Sequence, residues 1–244
     1  NKGVDGFRLD AIKYLIEDAS NLENTPATFS SIEDFNSAYK YTSSKSFTIG
    51  EVWSNTNFVI PYVQNGRLDA CFDFDLASNI INSVNSGSSA GLQQQILTIR
   101  ESYPALQFGT FLTNHDMDRV YNKLGYNNEK MKLAASIYLT MPGIPFIYYG
   151  EELGMVGTGS HENIRRPMQW SNSTNAGFTN SIPWKSIGNN YLTNNVEIMS
   201  NNNQTVPNVV VPSSLTSPNN MNKMALQKPS TTITRPPRQS GMSA

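Results

Sequence analysis

Three acidic residues, Asp10, Glu51 and Asp116, each stand at the end of an apolar, strand-like run. Arg8 precedes Asp10 by two positions, so in an extended chain both side chains point the same way. A cation beside a carboxylate lowers its pKa and keeps it ionised and oriented, as a nucleophile requires. Glu51 is followed by Val52 and Trp53. An apolar, aromatic setting raises a carboxyl pKa and suits a general acid near neutral pH. Asp116 follows directly on His115. A nucleophile facing an acid/base, with carboxyl groups ~5–5.5 Å apart, is what retaining glycoside hydrolysis needs. Taken singly, each acid has another reading. Asp10 could be a helix N-cap, Glu51-Val52-Trp53 alone carries no meaning, and Asn114-His115-Asp116 could be only a turn. Order, spacing and strand-end position together point to a site.

The elements that must position these acids alternate in kind. Apolar runs at 4–10, 46–52, 70–74, 108–113 and 144–149 predict five strands. Between them, amphipathic spacing predicts helices at 11–22, 32–41, 57–63, 76–84, 92–102 and 129–141. In the first of these, Ile12, Leu15, Ile16 and Ala19 would share a face. Strand–helix alternation is the signature of β/α units, and a closed barrel of this kind has eight. In such barrels the strand C-termini meet at one rim, so three acids ending three strands converge. A long loop rich in Gly, Asn and Trp is expected over 151–184. The domain boundary falls after residue 197: 1–197 reads as a partial barrel, and 198–244 as a low-complexity tail. With no acidic residue, aromatic or apolar periodicity, that tail is expected to stay disordered.

Bulk properties exclude several classes. The 244 residues are 38% hydrophobic and 15% charged, and no apolar run approaches the ~20 residues of a membrane span. All 19 acidic residues lie at or before Glu197, against 14 of the 18 basic ones, giving that body a net charge of −5. It offers no basic patch for nucleic acid. One cysteine, Cys71, excludes an internal disulfide, and the two histidines, His115 and His161, argue against a histidine-based metal site. The compartment stays open, with an extracellular or cell-surface setting expected ahead of the cytoplasm. The chain opens on Asn1 directly against a strand, so its true N-terminus and any targeting segment are expected to lie upstream.

Gly6-Phe7-Arg8-Leu9-Asp10-Ala11, Gly50-Glu51-Val52-Trp53 and Thr113-Asn114-His115-Asp116, with Arg119 three further on, resemble three signature regions of the α-amylase family of glycoside hydrolases, in the family's order. Pro142-Gly143-Ile144-Pro145, leading to Tyr148-Tyr149-Gly150-Glu151-Glu152, is similar to the family's eighth barrel strand. Arg166-Pro167-Met168-Gln169-Trp170 resembles the following loop, particularly in members acting on short oligosaccharides. The resemblance covers about residues 3–197 and implies a partial TIM (β/α)8 barrel, strands 4 to 8. It implies Asp10 as nucleophile, Glu51 as general acid/base and Asp116 as transition-state stabiliser. Arg8 would orient Asp10, His115 would hydrogen-bond the central sugar, and Arg119, Lys13, Tyr14 and Trp53 would border the substrate. Packing roles for Trp53 and Tyr14 remain open beside stacking on sugar rings.

The implied activity is retaining hydrolysis of α-1,4-linked glucans such as starch and maltooligosaccharides. The alternatives are an α-glucosidase or transglycosylase on short oligosaccharides, and a non-catalytic sugar-binding relic. Lys13-Tyr14 stands where many amylases have Lys-His, which bears on product pattern. The family's first signature region, strands one to three, the excursion domain and the C-terminal β-sandwich have no counterpart in this sequence. This segment requires no cofactor, and calcium is implied only for a full-length parent. Five strands leave two open edges, so the isolated chain is expected to be a poor catalyst.

Overall fold

The computed structural model describes residues 3–201. Five parallel strands form one sheet in chain order: β1 (Gly6–Leu9), β2 (Phe47–Gly50), β3 (Ala70–Phe72), β4 (Phe108–Thr110) and β5 (Ile144–Pro145). All five expected strands are present, each shorter than its apolar run. Pairing stops where the chain leaves for the rim, so the last residues of each run become the loops that carry the site. The helices are α1 (Pro26–Thr42), α2 (Thr56–Val59), α3 (Phe74–Ser86), α4 (Ala90–Ser102), α5 (Val120–Lys123), α6 (Asn128–Thr140), α7 (His161–Ile164) and α8 (Val196–Asn201). Parallel strands in sequential order with helical crossovers make an incomplete (β/α)8 barrel.

Local chemistry explains the longer helices. The Asp73 carboxylate caps α3 by accepting from Leu76 N–H at 2.7 Å, and Gly87 ends it with φ 71°. Leu76, Ala77, Ile80, Ile81 and Val84 recur at helical spacing and are all buried. Thr25 caps α1, with Pro26 in the first turn, where the missing N–H costs nothing. That pair starts α1 six residues before the position apolar spacing predicts.

The helix expected over 11–22 does not form. Ala11 takes φ 43°, and only a single 3-10 turn, Ile12–Tyr14, follows. Side chains then capture the backbone: Thr25 and Thr28 hydroxyls donate to Ile16 O at 2.6 and 3.0 Å, and Asp18 accepts from Ser20 and Asn21 N–H. Such local bonds compete with helical ones. Leu15 and Ile16 are consequently exposed rather than aligned on a buried face.

Two apolar clusters lie on either side of the sheet residues. The larger joins Cys71 and Phe108 to Ile12, Ile32, Val52 and the inward residues of α3, α4 and α6. The smaller joins Phe74, Ala77 and Phe111 to Phe72, Met117 and Phe146. Its rings meet edge to face, Phe72 with Phe111 at 5.6 Å and with Phe146 at 4.8 Å between centroids. This aromatic plug forms the floor on which the rim loops rest. Of the tail expected from residue 198, residues up to Asn201 are helical in α8, and residues from 202 on lie outside the described residues. No helix among the described residues is long and apolar enough to cross a membrane.

Candidate active site

Strand register brings the first two acids together. Leu9 pairs with Gly50, so Asp10 and Glu51, each the next residue, leave the sheet side by side. Gly50 makes this possible, since a Cβ there would stand 2.5 Å from Leu68 Cδ1 and 3.1 Å from Cys71 Sγ. Glu51 N–H donates to Leu9 O at 2.9 Å and Ile12 N–H to Glu51 O at 3.1 Å, which locks the two strand ends.

One guanidinium then bridges both carboxyls. Arg8 Nη1 is 2.5 Å from Asp10 Oδ1, and Arg8 Nη2 is 2.9 Å from Glu51 Oε2. Arg8 holds the Asp10 carboxyl below its usual range, by hydrogen bond first and by charge second, with smaller help from a hydrogen bond with Glu51 and from His115. Asp10 is largely exposed, whereas Glu51 is buried. The Glu51 carboxyl also accepts from Ala11 N–H at 3.2 Å. Its immediate partners are thus two donors rather than the aromatic wall that Val52 and Trp53 suggested. Trp53 instead stacks on Phe74 at 4.8 Å and leaves its other face half exposed.

Asp116 is held from a distance in sequence. Its carboxylate lies 2.6 Å from Arg165 Nη2, 3.0 Å from His115 Nε2 and 3.2 Å from His161 Nδ1. Arg165 Nε donates to His115 O at 2.9 Å, so one guanidinium fixes both members of the His115-Asp116 pair. His161 Nδ1 is also 3.2 Å from Arg165 Nη2. That ring nitrogen can accept from Arg165 or donate to Asp116, but not both. Within the turn, Asp116 N–H donates to Asn114 Oδ1 at 2.9 Å.

A cavity of about 160 Å3 is lined by Arg8, Glu51, Thr113, His115 and Tyr148 above the rings of Phe72, Phe111 and Phe146, while Asp10 and Asp116 do not line it and are tied to its wall by Arg8 and His115. Arg8 of β1 and residues following β2, β4 and β5 therefore meet at one rim. Lys13 is near but committed, with Nζ 2.7 Å from Glu23, 3.0 Å from Trp53 O and 3.2 Å from Ser54 Oγ. Tyr14 lies half exposed beneath that ammonium.

Arg119 is not brought to the cavity. It is 2% exposed, donates to Ile164 O at 2.8 Å and Tyr149 O at 2.7 Å, and lies over the Tyr148 and Tyr149 rings. The geometry makes it a strut between the loop after β5 and α7. Arg165 and His161 escaped notice in the sequence because they lie 49 and 45 residues beyond Asp116 in a polar loop. The one available signal was a cationic pair, Arg165-Arg166, in a body otherwise rich in carboxylates. Among the described residues, no three His, Cys, Asp or Glu side chains group closely enough to hold a metal ion.

Comparison with known proteins adds a family. Residues 1–212 match the family model "Alpha amylase, catalytic domain". Alpha-amylase 3 of Dictyoglomus thermophilum is 39% identical over 177 residues, covering 70% of this chain and 33% of that protein. Alpha-amylase SusG of Bacteroides thetaiotaomicron is 37% identical over 186 residues, covering 73% of this chain and 27% of that protein. The crystal structure of an alpha-amylase from H. orenii superposes with a TM-score of 0.70 at 36% identity, over 82% of this chain and 40% of that one. The chain thus spans about a third of the length of these curated relatives.

Proposed function

The chain belongs to the α-amylase family, and on that premise we propose that the full-length protein hydrolyses α-1,4-linked glucans such as starch and maltooligosaccharides, retaining configuration at the anomeric carbon. The observation that carries this reading is the shared guanidinium. Two carboxyls held on the one Arg8 guanidinium favour a close pair over one spaced to hold a water between them. An inverting pair stands ~6.5–9.5 Å apart to admit that water.

Asp10, kept ionised by Arg8, attacks the anomeric carbon while protonated Glu51 gives its proton to the departing glycosidic oxygen. The C–O bond breaks and a glycosyl ester forms on Asp10. Glu51, now a carboxylate, takes a proton from water as that water attacks the same carbon and frees Asp10. Asp116 and His115, oriented by Arg165, hydrogen-bond the distorted sugar ring. The open faces of Trp53 and Tyr14 serve neighbouring sugar units.

A second reading rests on the segment Arg166 to Trp170, which resembles the loop of members acting on short oligosaccharides. In that case the protein is an α-glucosidase or transglycosylase. Soluble starch and maltotriose digested side by side with the full-length protein separate the two. Rapid viscosity loss on starch is expected, and maltotriose cleavage without it favours the second reading. Glu51→Gln should lower kcat by several orders of magnitude, and near-normal turnover in that variant removes Glu51 from the acid role.

A further inference from the structure

Both histidines of the chain, His115 and His161, meet one carboxylate. His115 Nε2 stands 3.0 Å from Asp116 Oδ2, and His161 Nδ1 stands 3.2 Å from Asp116 Oδ1. His115 is the chain neighbour of Asp116, whereas His161 comes 45 residues later, at the start of α7. It is also tied twice to Arg165, the residue that fixes Asp116. Arg165 N–H donates to His161 O at 3.0 Å, and Arg165 Nη2 lies 3.2 Å from His161 Nδ1 and 2.6 Å from Asp116 Oδ1.

Proton counting decides what that ring nitrogen does. Arg165 Nη2 carries two protons, one for Asp116 Oδ1 and one for a second acceptor. Neutral His161 with its proton on Nε2 supplies that acceptor at Nδ1. A proton on Nδ1 would instead set donor against donor at 3.2 Å, beside a carboxylate oxygen that Arg165 already serves. Imidazolium carries a proton on both nitrogens and adds a second cation next to the guanidinium. The ring is 64% exposed, so it can then donate to Asp116 or turn to water, and in either place Nδ1 no longer accepts from Arg165. The other charged groups about it are Glu162 on its own helix, Lys185 acting on Glu162, and Asp118, which accepts from Gly159 N–H at 2.8 Å in the turn before α7.

We propose that neutral His161 is a positioning residue for the reaction: it braces the Arg165 guanidinium against Asp116, and its protonation releases the brace. Histidine is the side chain whose charge ordinarily changes between about pH 5 and 8. The brace is therefore present at the upper end of that range and lost at the lower. Arg165 keeps its own bonds to Asp116 and to His115 O, so release lowers the rate by a factor and does not abolish it. That the braced carboxylate serves glucan hydrolysis rests on the proposed activity, whereas the contact itself does not.

The test compares the full-length protein with His161→Leu, which has no acceptor, and His161→Asn, which keeps one near the place of Nδ1 and does not titrate. At about pH 8, His161→Leu should lower kcat about fivefold, the worth of one ordinary hydrogen bond, with KM and Tm near the parent values. His161→Asn should recover most of that loss. As the pH falls to about 5, the ratio of parent to His161→Leu should approach one, because protonation takes the acceptor from the parent too. The ratio of His161→Asn to His161→Leu should stay constant. A ratio of parent to His161→Leu that does not change with pH, or equal losses in the two variants, overturns the brace. Ring 13C shifts of histidine-labelled parent, assigned by the signal that His161→Asn lacks, read the contact without turnover and cover the case in which His161→Leu lowers Tm. In alkaline solution they should report the proton on Nε2, and a proton on Nδ1 overturns the brace. If the parent cleaves neither starch nor maltotriose the proposed activity falls, and the position of the proton still decides the brace.

Discussion

Arg8 Nη2 lies 2.9 Å from Glu51 Oε2, across the seam between β1 and β2. The contact is cross-strand, and it ties the acid at the end of one strand to the cation that orients the acid of the other. Planar donors arranged as a fork hold two carboxyls in a fixed relative geometry, which the point charge of an ammonium on a flexible stem does not impose.

Arg8→Met should therefore damage both carboxyls. The Arg8 cation favours ionised Asp10, so its loss raises the Asp10 pKa, and the acid limb of kcat/KM should move to higher pH. Turnover should fall ~100-fold, a typical cost for a misplaced reacting group. A pH–rate profile of the full-length enzyme checks both, and an unmoved acid limb counts against the assignment.

Arg165→Met should lower kcat more than it raises KM. The bond to Asp116 is charge-assisted and worth ~1.5–3 kcal/mol, which is ~10- to 100-fold in rate if expressed in the transition state. Asp116 and Arg165 are both partly open to solvent, so added guanidinium should restore part of the rate. Absence of any loss would leave Arg165 a surface residue.

Arg119→Met tests a structural role against a binding one. Removing the guanidinium takes a donor from Tyr149 O and leaves Ile164 O with only the Tyr148 hydroxyl at 3.3 Å, at roughly 1–3 kcal/mol in all. Urea unfolding should show that loss while KM stays near the parent value. A raised KM with unchanged stability would return Arg119 to the substrate.

Glu151 gives stability a pH dependence. Burial raises its carboxyl from 4.5 to about 8, despite the hydrogen bond from Tyr138 Oη at 3.2 Å. The folded state thus holds this proton where the unfolded chain has released it. Stability from this group is fully present below pH 4.5 and is lost progressively as pH rises to about 8. Glu151→Gln should remove the penalty, so its Tm advantage over the parent should be larger at pH 8 than at pH 4.5. At ~1.4 kcal/mol per pKa unit the difference is a few kcal/mol. Parallel Tm curves would refute it.

Much of the site was legible in the sequence because its pieces are local. An apolar run followed by an acid marks a strand leaving the sheet, and the two-residue spacing of Arg8 and Asp10 fixes their common side. Alternation of runs predicts parallel strands in chain order, and that order carries Glu51 beside Asp10. The 11–22 segment misled for the same reason, since its apolar spacing is helical while Thr25 and Thr28 both take its Ile16 carbonyl from further along the chain. Arg165 and His161 on Asp116, and Arg119 as a buried strut, were decided by tertiary structure alone. Each depends on which loops meet at one rim after strands have paired. Periodicity and capping report a residue's neighbours within a turn or two, whereas a partner 49 residues away is chosen only when the chain closes.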